Sequence, residues 1–240
     1  SADKLFLSSR GFEFKLEDMG IFQSNLVYFP QWIEADYLSK LPLGTKEDCE
    51  VQSLISQWKN KVIVTFTGNI GDAQDFVSVL EGVKRSSYVT EFVILLVGDG
   101  RYKGELVKLI QAEGLEKTVV CLGQYPARYM PLFYHYSQYL LISLKDIPIF
   151  AHTLPGKVQS YMSSGRPLIG MINGEARQVI EEAGCGLIVP SGDYLGFAGI
   201  LDRCCSLDAA EQHKLGKLGQ SYAYKNFRLE SLVDSVMEYF

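Results

Sequence analysis

The stretch Phe150-Ala151-His152-Thr153-Leu154-Pro155-Gly156-Lys157-Val158-Gln159-Ser160-Tyr161-Met162 holds the residue types best suited to chemistry. Thr153 fits an N-cap and Pro155 a first helical turn, so the unpaired N–H groups of Gly156 and Lys157 are expected to point out of a helix start. With the positive end of the helix dipole, such groups form an anion site. Val158, Tyr161 and Met162 fall on one helical face and read as core, whereas Lys157 and Ser160 share another. His152 just precedes the helix. It reads either as a structural histidine or as a group beside bound phosphate.

Two glycine-bearing turns could meet the same anion. Phe66-Thr67-Gly68-Asn69-Ile70-Gly71-Asp72 leaves a strand, and Gly68 and Gly71 would let backbone N–H groups approach a phosphate. Gly98-Asp99-Gly100-Arg101-Tyr102-Lys103 follows the next strand, where Arg101 or Lys103 could add charge-assisted bonds. Each also reads as an ordinary turn. A dinucleotide site is disfavoured, because the third glycine of that fingerprint and an acidic residue closing a second strand are both missing.

These segments need a scaffold, and from Lys61 onward short apolar runs alternate with helical periodicity, as in βαβ units. Strands are predicted at Val62–Thr67, Phe92–Val97, Thr118–Leu122, Tyr139–Ser143, Pro167–Ile172 and Gly186–Val189. Helices are predicted at Ala73–Arg85, Lys103–Glu113, Ala127–Tyr136, Leu154–Ser164 and Glu175–Ala183. Runs as continuous as Phe92–Val97 suit strands buried on both faces. The fold class is therefore α/β, a Rossmann-like doubly wound parallel sheet. Residues 1–40 read as a fragment of another unit plus a linker, with a strand at Leu5–Leu7 and a helix running to Gly20. Residues 41–221 form the sheet domain. Residues 222–240 read as an amphipathic helix with Leu229, Leu232, Val233 and Val236 on its apolar side.

A net charge of −5 argues against a nucleic-acid partner, and Lys84-Arg85 reads as a solvated helix end. The five cysteines show no Cys-x-x-Cys spacing and fit a reducing compartment, with Cys121 and Cys185 as small buried hydrophobes. No run reaches the roughly 20 apolar residues of a spanning helix, and no signal peptide is read at Ser1-Ala2-Asp3-Lys4. A cytoplasmic location is expected. No metal-ligand cluster is seen.

Against this background Pro155-Gly156-Lys157-Val158-Gln159-Ser160-Tyr161-Met162-Ser163-Ser164-Gly165-Arg166-Pro167 resembles the donor-site helix of family-four retaining glycosyltransferases of the GT-B fold. Gly174-Glu175-Ala176-Arg177, the run Val179 to Asp193, Gly98-Asp99-Gly100 and Leu122-Gly123-Gln124-Tyr125-Pro126 are similar to that family in order and spacing. The branch it most resembles is the WbuB-like one of bacterial O-antigen and capsule synthesis. The resemblance implies the C-terminal half of a GT-B enzyme, lacking its own N-terminal domain. It implies transfer of a sugar, an amino sugar in that branch, from a nucleoside diphosphate donor such as UDP to a glycan or lipid-linked acceptor, with no metal or other cofactor. Peripheral membrane association of the full-length enzyme would follow.

By the same resemblance His152 and Lys157 become the catalytic candidates. Donor-binding candidates are Gly68, Asn69, Gly71, Gly98, Gly100 and Arg101; Gln124 and Tyr125; and Thr153, Leu154, Pro155, Gly156, Lys157, Ser160 and Glu175. Two family glutamates spaced eight apart are matched here by His152 and Ser160, so either another acid, with Glu175 the candidate, meets the ribose or the ribose is held differently. A hexosamine-nucleotide epimerase of the same architecture and a non-catalytic nucleotide-binding module are the competing readings, and the Pro155–Pro167 pattern favours the transferase.

Overall fold

The computed structural model describes residues 4–34, 37, 41–237 and 239. The segment Ser1-Ala2-Asp3, the domain limit at residue 40 and the last tail residue, Phe240, lie outside the described residues. The chain opens on β1 (Leu5–Leu7), α1 (Glu13–Asp18) and β2 (Leu26–Tyr28), with β1 and β2 paired in parallel. Helix α2 (Lys46–Ile55) follows, capped by Thr45, whose Oγ1 accepts from the Asp48 N–H at 3.1 Å.

The sheet domain then runs β3 (Val62–Thr67), α3 (Phe76–Arg85), β4 (Phe92–Val97), α4 (Lys103–Ala112), β5 (Val119–Gly123), α5 (Met130–Tyr136) and β6 (Tyr139–Ser143). It continues with α6 (Pro148–Ala151), α7 (Gly156–Ser163), β7 (Leu168–Met171), α8 (Gly174–Ala183), β8 (Gly186–Val189), α9 (Tyr194–Ser206), α10 (Ala209–Asn226) and α11 (Leu229–Met237). Six parallel strands are ordered β5-β4-β3-β6-β7-β8. The predicted sheet is thus the observed one.

Period-two alternation sends the two faces of each strand into separate cores. Val93, Leu95 and Val97 of β4 pack with α2, α5, α7 and α8 on one side, while Phe92, Ile94 and Leu96 pack with α3, α4 and α9 on the other. Among the described residues no helix is long and apolar enough to cross a membrane.

Several predicted boundaries are corrected. The helix expected from Leu154 begins at Gly156, because a residue before proline is pushed out of the helical region, and Pro155 itself is extended at φ −65°, ψ 133°. Thr153 is not its cap: its hydroxyl donates instead to the Ile149 carbonyl at 2.7 Å. The helix expected from Ala73 starts at Phe76 after a 3-10 turn over Asp72–Gln74 and a left-handed Asp75. The helix expected from Ala127 likewise opens as a 3-10 turn, Ala127–Tyr129. The tail is two helices rather than one. They break at Phe227, which is buried and whose carbonyl accepts from the Ile33 N–H at 2.9 Å. The described cysteines are all unpaired thiols, with Cys185 buried as expected and Cys121 only half-buried.

Candidate functional site

Strand order reverses direction at β3, whose neighbours β4 and β6 lead to opposite ends of the sheet. A crevice opens there at the carboxyl ends of the strands, the usual ligand position in open α/β sheets. Pairing of β3 with β6 is limited to Val64 with Tyr139 and Thr65 with Leu140, so the last residues of β3, which ends at Thr67, are not paired with β6. Gly68 follows with φ +122°, a conformation open to glycine.

Facing that turn is the start of α7. The Lys157 ammonium lies 3.9 Å from the centre of the Phe66 ring, and a Cβ on Gly68 would stand 3.6 Å from it. Among the described residues no carboxylate pairs with Lys157. Burial alone pushes its pKa down to about 8. A desolvated cation without a counter-ion, beside the free N–H groups of a helix start, is electrostatically incomplete.

The surrounding cavity has a volume of about 660 Å³. Its floor includes Thr67, Gly68, Lys157, Ser160 and the Thr153–Gly156 approach, and its wall is formed by Gln31, Trp32, Glu34 and Tyr37 from the linker. A second cavity of about 440 Å³ lies at the ends of β4 and β5, lined by Asn69, Gly98, Gln124 and Tyr125. Gly68 and Met130 line both, so the two spaces adjoin. Together they can hold a ligand with an anionic centre and two arms.

The structure does not bring every candidate into this crevice. Glu175 is buried on another errand: its carboxylate accepts from the Gly11 N–H at 2.8 Å, the Tyr28 hydroxyl at 3.2 Å and the Ser9 hydroxyl. The His152 ring is exposed and tilted against Phe12, while its carbonyl oxygen shares the single Ser9 hydroxyl proton with Glu175. A Cβ on Gly11 would come within 2.5 Å of the His152 Cα, so the two backbones touch. Both residues therefore fasten the N-terminal segment. Glu175→Ala is expected to cost about 1–3 kcal/mol through unpaired buried donors, seen as faster hydrogen exchange across residues 5–28. Unchanged exchange there would show that the carboxylate holds nothing.

Arg101 is exposed and lines neither cavity. Gly71 and Gly100 line neither as well, because their N–H groups are spent on Gln74 Oε1 and Asp99 Oδ1 at 2.9 and 2.7 Å. A Cβ on Gly100 would sit 2.2 Å from the Ile70 carbonyl oxygen, so its glycine serves loop packing. Gln31, Trp32, Glu34 and Tyr134 were not among the sequence candidates. Gln31, Trp32 and Glu34 meet α7 across more than a hundred positions, and such contacts leave no local pattern.

The family model described as glycosyl transferases group 1 matches residues 61–206, the span that carries the six-stranded sheet, the second cavity and the floor of the first. The chain belongs to this family. This group 1 glycosyl transferase chain is 24% identical over 232 residues to the "Probable glycosyltransferase WbjE" of Pseudomonas aeruginosa, covering 95% of the chain and 55% of that relative. It spans, then, about half the relative's length. Among solved structures, Anabaena HepE in complex with UDP and glucose superposes with a TM-score of 0.79 at 15% identity, over 99% of this chain and 62% of that one. WaaG, a glycosyltransferase involved in lipopolysaccharide biosynthesis, gives 0.75 at 11% identity, over 97% and 61%. These likenesses are of fold.

Proposed function

We propose that the chain is the donor-binding, C-terminal half of a GT-B glycosyltransferase that moves a sugar from UDP to a glycan or lipid-linked acceptor. The observation that carries this reading is Lys157, a partly buried cation with no counter-ion among the described residues, set between the start of α7 and the Gly68 turn. In this reading the diphosphate lies against Lys157 and the free N–H groups of α7. The uracil occupies the adjoining cavity beside Gln124 and Tyr125, and the sugar extends along Thr153–Pro155. Glu34, whose carboxylate lines the same cavity as Ser160, takes the ribose role that Glu175 is too occupied to fill.

The difficult step in sugar transfer is departure of the diphosphate, where negative charge accumulates. A fixed cation and a helix N-terminus stabilise that charge without reorganising, so the chemistry asks for neither a nucleophile nor a metal from this half. We further propose retention at the sugar carbon, an amino-sugar donor and a WbuB-like role in surface polysaccharide synthesis at the cytoplasmic face of the membrane. Residues 1–40 would then belong to the preceding domain and linker, 41–221 to the donor domain, and 222–240 to a helix that returns to the preceding domain. No nucleic acid is needed.

The test separates binding from turnover. Calorimetry is expected to detect UDP binding by the 240-residue chain, while labelled UDP-sugar yields far less transfer than from a chain extended to the length of its relatives. Transfer by the shorter chain at the rate of the longer one would sink the half-enzyme reading, and release of an epimer would redirect it.

A further inference from the structure

We infer that Tyr161 is a positioning residue: its hydroxyl pins the Thr67–Gly68 peptide and so sets the gap between the Gly68 turn and Lys157. The inference rests on the donor reading above. Gly68 donates to the Val97 carbonyl on the β4 side at 2.9 Å. Backbone groups alternate sides along a strand, so the N–H and C=O of Thr67 face the β6 side. There β6 has already stopped pairing, its last partner on β3 being Thr65. Two buried backbone groups would be left without partners, an expensive omission.

One side chain satisfies both. The Tyr161 hydroxyl accepts from the Thr67 N–H at 2.8 Å and lies 3.2 Å from the Thr67 carbonyl oxygen as donor. Burial keeps this phenol protonated, with its pKa pushed up to about 12, so the donated proton is always present. The Thr67–Gly68 peptide is thereby held from both sides, its C=O by Tyr161 and its N–H by Val97. Its φ of +122° at Gly68 brings that residue against the Lys157 amine.

The arrangement closes on itself through α7. Lys157 and Tyr161 are four residues apart, neighbours one turn along the same helix. The helix that supplies the cation and the free N–H groups also supplies the hydroxyl that holds the opposing turn. Tyr134 backs the pin, its hydroxyl 2.9 Å from Thr67 Oγ1 and its ring edge-on to Tyr161 at 5.3 Å.

Tyr161→Phe keeps the buried ring and removes the pin. UDP affinity is expected to fall about tenfold and uridine affinity by much less, since the gap between the turn and Lys157 that the pin sets is where the phosphates lie. A purely structural tyrosine would lower both affinities together or neither. Should the variant not fold, amide exchange in the unaltered chain reads the pin directly: the Thr67 and Gly68 amides are expected to be protected before any ligand is added. Equal losses for UDP and uridine, no loss for either, or loop-like exchange at Thr67 would overturn the inference. An unaltered chain that binds no UDP overturns the donor reading and the inference with it. UDP binding with an indifferent Tyr161→Phe overturns the inference alone.

Discussion

Lys157→Ala is expected to weaken UDP binding by one to two orders of magnitude, because a charge-assisted hydrogen bond is worth roughly 1.5–3 kcal/mol. Uridine should bind nearly as before. The position of the amine supports a loss larger than a surface lysine would give, since it sits partly buried over Phe66 and faces no carboxylate among the described residues. Its depressed pKa adds a pH signature. The amine is charged below about pH 8 and neutral above it, whereas an ordinary lysine keeps its proton until about 10.4. UDP phosphates, with a second ionisation near 6, are already fully charged across this range. Affinity should therefore decline about tenfold between pH 7 and pH 9 in the unaltered chain and stay flat in Lys157→Ala. Parallel pH profiles for the two proteins would remove Lys157 from the anion site.

Gly98→Ala should be the most damaging single methyl in the sheet domain's ligand-facing edge. Gly98 has φ +149°, and an added Cβ would lie 1.9 Å from the Gly68 carbonyl oxygen. Backbone strain of about 1–3 kcal/mol combines with an overlap that no rotamer can relieve, itself about 1–3 kcal/mol. Thermal unfolding is expected roughly 10 °C lower, taking about 2–4 °C per kcal/mol for a domain of this size. A change of less than about 2 °C would show that the two turns can part freely. The same overlap would displace Gly68 from Lys157, so UDP binding should fall along with stability.

The sheet was readable because its strands are short apolar runs, clearest in the fully buried Phe92–Val97, in which no polar residue interrupts the signal. Helix starts were harder. Leu154 looks helical by periodicity, but Pro155 excludes it, and Thr153 turns its hydroxyl back to Ile149. The glycine pair Gly98 and Gly100 was read as room for a ligand. Each in fact accommodates a neighbouring carbonyl, of Gly68 and of Ile70, and only Gly98 also borders a cavity. Glu175 and His152 line neither cavity, for a different reason. Their partners in the N-terminal segment lie 166 and 143 positions away, and no local spacing encodes such contacts. Lys157 and Gly68 were legible as separate anion-ready features, yet their mutual approach follows only from the sheet order.

The β1–β2 pair has a consequence for handling the chain. Among the described residues each of these strands hydrogen-bonds only to the other, which leaves a row of ladder groups open along both outer margins. Phe14 and Phe22 stand 80% and 76% exposed on the connection between them. An unpaired strand margin flanked by greasy side chains is a template for further strands, the geometry from which edge-to-edge aggregates grow. The hazard in concentrated solution thus centres on this N-terminal pair, where an open strand margin and exposed aromatic side chains coincide.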